Sequence, residues 1–183
     1  MYFRCKFTYI NIGSAGKNND SYIFESSSLK RYHDQSDVFN SKSKLLDDIS
    51  VPVVLIGDSA FRLSRFLMKP FPYKPNQPQF ERNFNYCLSK CRRVIECAFG
   101  QLKARFRKLG KGLELAPQHC NVVIKACCLL HNFLKNEEDE VTQTWMDAQT
   151  LPRNQPIHTT RSGEHDDNAR DIRNAIAFHL GKL

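Results

Sequence analysis

Apolar and polar positions alternate near the start of the chain. In "CKFTYINIG", residues 5 to 13, Cys5, Phe7 and Tyr9 share one parity, which predicts a strand. "GSAGKNNDS" follows as a turn-rich loop in which Gly13 and Gly16 supply backbone freedom. A short helix is expected from Ser21 to about Leu29, and residues 30 to 50 read as a polar loop with helical pieces. The pattern then changes. "VPVVLIG", residues 51 to 57, is apolar at both parities, as a central strand covered on both faces would be. It ends on Asp58. "AFRLSRFLM", residues 60 to 68, reads as a short helix stopped by Pro70, and "KPFPYKPNQPQ" as an extended connection held by Pro70, Pro72, Pro75 and Pro78.

Steps of three and four dominate the second half. Cys91, Ile95, Ala98, Leu102 and Phe106 predict a helix over roughly 81 to 108 with that stripe buried. A second helix is expected from Pro117 to about Lys135, with Val123, Ala126, Cys127, Leu130 and Leu134 facing in. Residues 136 to 168 are acidic and then polar, with few apolar residues beyond Val141, Trp145 and Met146, which reads as a linker or mobile excursion. "ARDIRNAIAFHLGKL" closes the chain as an amphipathic helix, with Ile172, Ile176 and Leu180 on one side and Asp166, Asp167 or Asn168 to cap it. The expected organisation is one domain over 1–135, the linker over 136–168, and a helix over 169–183 that packs on the domain.

Composition narrows this little. At 41% hydrophobic and 25% charged, 183 residues suit one globular domain with a real core. No apolar run approaches the ~20 residues of a membrane span, and "MYFRCKFTYI" has no signal-peptide pattern. Seven cysteines without a C-x-x-C pair suit free thiols in a reducing compartment. Charge changes the picture more. From Ala60 to Lys111 there are thirteen Lys or Arg against Glu81 and Glu96, a net +11 that leaves −3 for the rest of the chain. Such concentration is the footprint of a polyanionic partner, nucleic acid first, or else a solvated basic face.

Asp58 therefore has two readings: it caps the turn after a strand, or it helps hold a metal ion. Glu96 stands on the long basic helix with Arg92 and Arg93 one turn before it, Lys103 two turns after it, and Gly100 close by. Carboxylates that hold divalent cations, beside cations that grip phosphates, are the parts of metal-dependent phosphoryl chemistry. An i,i+4 ion pair between Arg92 and Glu96 is the bland alternative. The cysteines with His131 do not form zinc spacing: C-x3-C and C-x5-C lack the paired knuckles, and Cys91 and Cys127 fall on predicted buried stripes. His131, near a helix end, is expected to satisfy a carbonyl.

"FTYINIGSAGKNNDSYIFESSSL", "VVLIGDSAF…LMKPF", "FERNFNYCLSKCRRVIECAFGQLKARFRKL" and "IKACCLLHNFL", in that order and spacing, resemble the PIF/Harbinger-type DDE transposases and their domesticated nuclease relatives. The resemblance implies an α/β, RNase H-like mixed sheet flanked by helices. It also implies a site of two aspartates and a glutamate that uses Mg²⁺ or Mn²⁺ on double-stranded DNA, and a nuclear location, with the cytoplasm as alternative. A separate DNA-binding partner protein is conceivable in that frame; a membrane is not. Asp58 in "GDS" matches the second aspartate and Glu96 in "RRVIECAFG" the glutamate. Arg92, Arg93, Lys103 and Arg105 are the expected DNA contacts. Asp20 and Glu81 match recurrent acids and are further candidate ligands, each alternatively a loop or helix-start residue. The family's first aspartate belongs on a strand before "FTYINIG", near Tyr2 or ahead of Met1, and no acid precedes Asp20. The expectation is a domain missing its first strand, whether a truncated fragment, a mispredicted start or a decayed copy. Its cleavage is then impaired, or it is a non-catalytic DNA-binding or protein-interaction module that keeps the fold.

Overall fold

The computed structural model describes residues 5–35, 41–137 and 167–182, and among these the chain is mixed α/β, with helices and two small sheets. In chain order the elements are α1 (Asp20–Glu25), α2 (Ser28–Gln35), β1 (Ser43–Leu46), β2 (Ile49–Pro52), β3 (Leu55–Ile56), β4 (Leu67–Met68), α3 (Gln79–Arg105), α4 (Lys108–Lys111), α5 (Pro117–Asn136) and α6 (Asp167–Gly181). Two compact units divide them. One is built from residues 1–17 and 93–155, the other from 18–92 and 156–183, so α3 contributes to both. The expected linker falls almost wholly outside the described residues.

Local chemistry sets the element ends in the second unit. Asn19 caps α1 by accepting the Tyr22 N–H at 2.8 Å. The expected single helix over 21 to 29 breaks at Ser26 and Ser27, whose hydroxyls hydrogen-bond the preceding turn while Ser27 Oγ accepts the Lys30 N–H at 3.1 Å and starts α2. Within 30 to 50, read from the sequence as a loop, lies a hairpin. β1 and β2 pair antiparallel with Leu46 opposite Ile49, across Asp47 and Asp48, both at positive φ (44° and 65°). That is the two-residue turn whose twist matches paired strands, and aspartate tolerates it better than most residues.

The apolar run 51 to 57 is not one central strand. It is shared between β2 and β3, and Val53 and Ile56 are 45% exposed, so it is not covered on both faces among the described residues. Residues 60 to 68 form no helix. They turn through Ser59 and Ala60 and enter β4, which runs parallel to β3 with Leu55 opposite Leu67 and Ile56 opposite Met68. The three-residue spacing of apolar groups there serves a turn and a strand instead. The core of this unit joins Leu46 and Val51 of the hairpin, Leu63, Met68 and Phe71, Phe84 and Leu88 of α3, and Ala169, Ile172, Ala175 and Ala177 of α6. Ile176 and Leu180 pack against it, so the C-terminal helix docks by the expected stripe.

The first unit centres on Phe7, Ala98, Leu102 and Cys128. Residues 5 to 13 form no strand; Cys5 has φ 47°, which no ladder accepts. The side-chain amide of Asn132 substitutes for a neighbouring strand. Its Oδ1 accepts the Phe7 N–H at 2.9 Å and its Nδ2 donates to the Phe7 carbonyl at 2.7 Å. Asn85 treats Phe71 the same way in the other unit, at 2.8 and 3.0 Å. The inward stripes also differ from expectation. Cys91 and Ile95 are exposed while Ala98 and Leu102 are buried, and on α5 the inward residues are Ile124, Cys127, Cys128 and His131. Among the described residues no helix is long and apolar enough to cross a membrane.

Candidate functional site

Asp58 follows β3 directly. Because β3 and β4 are parallel, and the Gly57 N–H donates to Met68 O at 2.9 Å, Asp58 and the residues after β4 leave the ladder at the same end. Gly57 has a steric reason: a Cβ there would stand 2.9 Å from the Phe61 ring. The Asp58 carboxylate is partly exposed and differently used at its two oxygens. Oδ1 accepts the Ala60 N–H at 2.9 Å, a turn cap that fixes the rotamer. Oδ2 lies 3.8 Å from Nη2 of Arg92, which is too long for a hydrogen bond and is a charge contact. That oxygen faces the Arg92 guanidinium, the position a bound cation would contest. Asp58 thus combines the turn-cap reading with a geometry that suits a metal ligand.

Glu96 occupies an exposed position on α3, in the unit that also holds Arg93, Lys103 and Arg105; Arg93 is exposed, Lys103 and Arg105 half-buried. Of the predicted site residues, the structure brings Asp58 and Arg92 together within one unit. Glu81 is buried in the first turn of α3, where it accepts Gln77 Nε2 at 3.1 Å; the same nitrogen donates to Pro72 O at 3.3 Å. It staples the proline-rich connection to the helix. Asp20 is exposed at the start of α1, beside the capping Asn19. Among the described residues no three His, Cys, Asp or Glu side chains cluster as a metal centre.

His131 satisfies a carbonyl: Nε2 lies 2.8 Å from Cys5 O, and the fully buried ring packs on Phe7 at 5.3 Å. Burial holds it below the usual histidine range, against the pull of the Cys5 carbonyl and with help from Lys135 and Arg105. Burial also raises the thiols of Cys127 and Cys128, so both stay protonated and pack. Sequence reasoning missed the two asparagine clamps. A signal existed, since Asn132 in "LLHNFL" and Asn85 in "FNYCL" are poor helix formers amid apolar neighbours.

Residues 3–132 match the model of a DDE superfamily endonuclease. The chain belongs to this family. The Harbinger-type resemblance holds as well: the endonuclease domain is 38% identical over 105 residues to the protein named "Putative nuclease HARBI1" from Homo sapiens, and equally to that from Bos taurus. The Mus musculus protein of the same name is 34% identical over 105 residues. Each match covers 56% of this chain and 29% of the relative, so the endonuclease domain spans under a third of these relatives' length. No solved structure matches it. Endonucleases of this superfamily generally depend on divalent metal ions.

Proposed function

We propose that the domain binds duplex DNA through Arg92, Arg93, Lys103 and Arg105, with Asp58 and Glu96 as the acids of a metal-dependent phosphodiesterase site that is impaired in this chain. The family match across residues 3–132, with Asp58 delivered by a parallel strand pair and its second oxygen set where a cation would contest Arg92, is the observation that supports it. An ion bound by these acids, Mg²⁺ or Mn²⁺, would supply an activated water and a stabilised leaving oxygen.

The chain's own residues prepare and also limit that site. The Ala60 N–H keeps the Asp58 carboxylate from swinging, so its second oxygen faces one direction. Arg92 balances the charge of Asp58 and, being 3.8 Å away and tethered by no hydrogen bond to it, can turn to a phosphate when DNA arrives. Until then it competes with a cation for the same oxygen. The Arg92 charge thus weakens metal binding at Asp58 before substrate is present. The turn cap on Asp58 favours the second reading, a non-catalytic DNA-binding or protein-interaction module that keeps the fold. Action on DNA carries a nuclear location with it.

Supercoiled plasmid nicking with Mg²⁺ or Mn²⁺ tests the proposal alongside a DNA-binding assay. The expected result is DNA binding with little nicking. Strong nicking that Asp58→Ala removes would keep the site and overturn the impairment. Nicking that Asp58→Ala leaves intact would overturn the site. Absence of DNA binding at low salt would overturn the whole reading.

A further inference from the structure

Helix α5 is apolar on two opposite faces. Ile124, Cys127, Cys128 and His131 pack inward on Phe7, Ala98 and Leu102. On the other side, Val122, Ala126, Leu129 and Phe133 recur at steps of four, three and four, with Leu130 beside them. Among the described residues this second face is open: Val122 is 67% exposed, Leu129 59%, Leu130 50% and Phe133 58%, and Ala126 is exposed too. One stripe suffices to dock a helix on a core. A second stripe at a mean spacing of 3.67 keeps to one face of the helix and offers a surface on which another helix can pack. Its apolar area, roughly 400–500 Å², is that of the largest patch on a monomer, which is often functional.

We propose that two copies of this chain pair through this stripe, α5 against α5 and antiparallel. The stripe grades from small at its N-terminal half (Val122, Ala126) to large at its C-terminal half (Leu129, Leu130, Phe133). Parallel pairing would set Phe133 on Phe133 and Ala126 on Ala126, a bulge beside a gap. Antiparallel pairing sets Val122 opposite Phe133 of the second copy and Ala126 opposite its Leu129, so that each layer has similar volume, as close packing demands. Charge selects the same direction. Glu137, the exposed acid at the end of this face, then meets His119 and the helix N-terminus of the second copy, where the partial positive charge favours it. In the parallel alternative Glu137 would meet Glu137. A two-fold axis makes every contact twice, and the covered surface is roughly 800–1,000 Å², the size of a weak, transient interface.

Sedimentation velocity of the full chain, under reducing conditions from about 1 to about 100 µM, should show a monomer–dimer equilibrium. Leu129→Glu and Ala126→Lys, each alone, should raise Kd at least ~30-fold while leaving circular dichroism and the dilute melting temperature unchanged. Combined in one chain they oppose Lys to Glu across an antiparallel seam only, and should return Kd to within about tenfold of the starting protein. A monomer at every concentration, or a dimer indifferent to Leu129→Glu, would overturn the proposal. So would a double variant no better than the single ones. A monomer that melts lower on Leu129→Glu would place a segment of the same chain on the stripe, and this too overturns it.

Discussion

Gly57, immediately before Asp58, has no room for a side chain. A methyl group there would press on the Phe61 ring at 2.9 Å, and Phe61 in turn packs edge-on against Phe24 at 5.8 Å. Gly57→Ala should therefore cost about 1–3 kcal/mol, read as a lower urea midpoint, and should move the turn that carries Asp58. His131 makes a pH prediction. Its folded-state pKa is lowered, so the unfolded chain binds the proton more readily. Stability is complete above the unfolded value of ~6.5 and declines as pH falls below it. The urea midpoint should drop between pH 7.5 and 5.5, and His131→Asn should flatten that slope while lowering the plateau. At this scale the placement of Asp58 just after a strand and of Glu96 on the long helix was legible, because both sit in motifs contiguous in sequence, while their shared role rests on the resemblance. The Ala60 cap, the Arg92 contact and the Gln77–Glu81 staple were not. Each depends on where a turn or a neighbouring helix places a partner, which periodicity does not encode.

Elements divide by how local their causes are. The helices over 79–105, 117–136 and 167–181 were legible within a few residues, since repeated three- and four-residue steps are a local property. On α5 the buried face was misjudged because both faces are apolar, so periodicity could not say which one meets the core. The strand expected over residues 5 to 13 failed differently. Alternation correctly placed Phe7 inward, but a strand also needs a partner, and here a side-chain amide provides it. That substitution is testable. Asn132→Asp replaces a donor to the Phe7 carbonyl with a second acceptor, and should destabilise by about 2–3 kcal/mol, more than Asn132→Ala, in thermal unfolding. In the hairpin, Asp48 holds φ 65° without glycine's tolerance, so Asp48→Gly should raise stability by roughly 0.5–1 kcal/mol. On α6, Ile172 is 1% exposed in the core, and Ile172→Ala should cost about 2–4 kcal/mol by the same measurement.

For the whole molecule, charge is the property that composition predicts best, because a window of +11 needs no fold to be positive. If Arg92, Arg93, Lys103 and Arg105 each contact a phosphate, DNA affinity should fall about 100-fold between roughly 50 and 200 mM salt, and reversing all four charges should abolish binding. A filter-binding titration that stays flat over that range would contradict the DNA reading. The RNase H-like sheet implied by the resemblance is not seen among the described residues, where β1 to β4 form two short ladders. The division of the chain also bears on how the protein is born. The unit that carries Asp58 draws its core from residues 46–88 and again from 169–177. As the chain leaves the ribosome, Asp58 emerges well before Ala169, Ile172, Ala175 and Ala177, which complete the core of its unit. The other unit interrupts this one, so neither vectorial synthesis nor a stop codon can spare it: a message cut short anywhere before Ala169 yields an Asp58 with no finished core beneath it. The unit that carries Asp58 can thus complete its core only once α6 has been made.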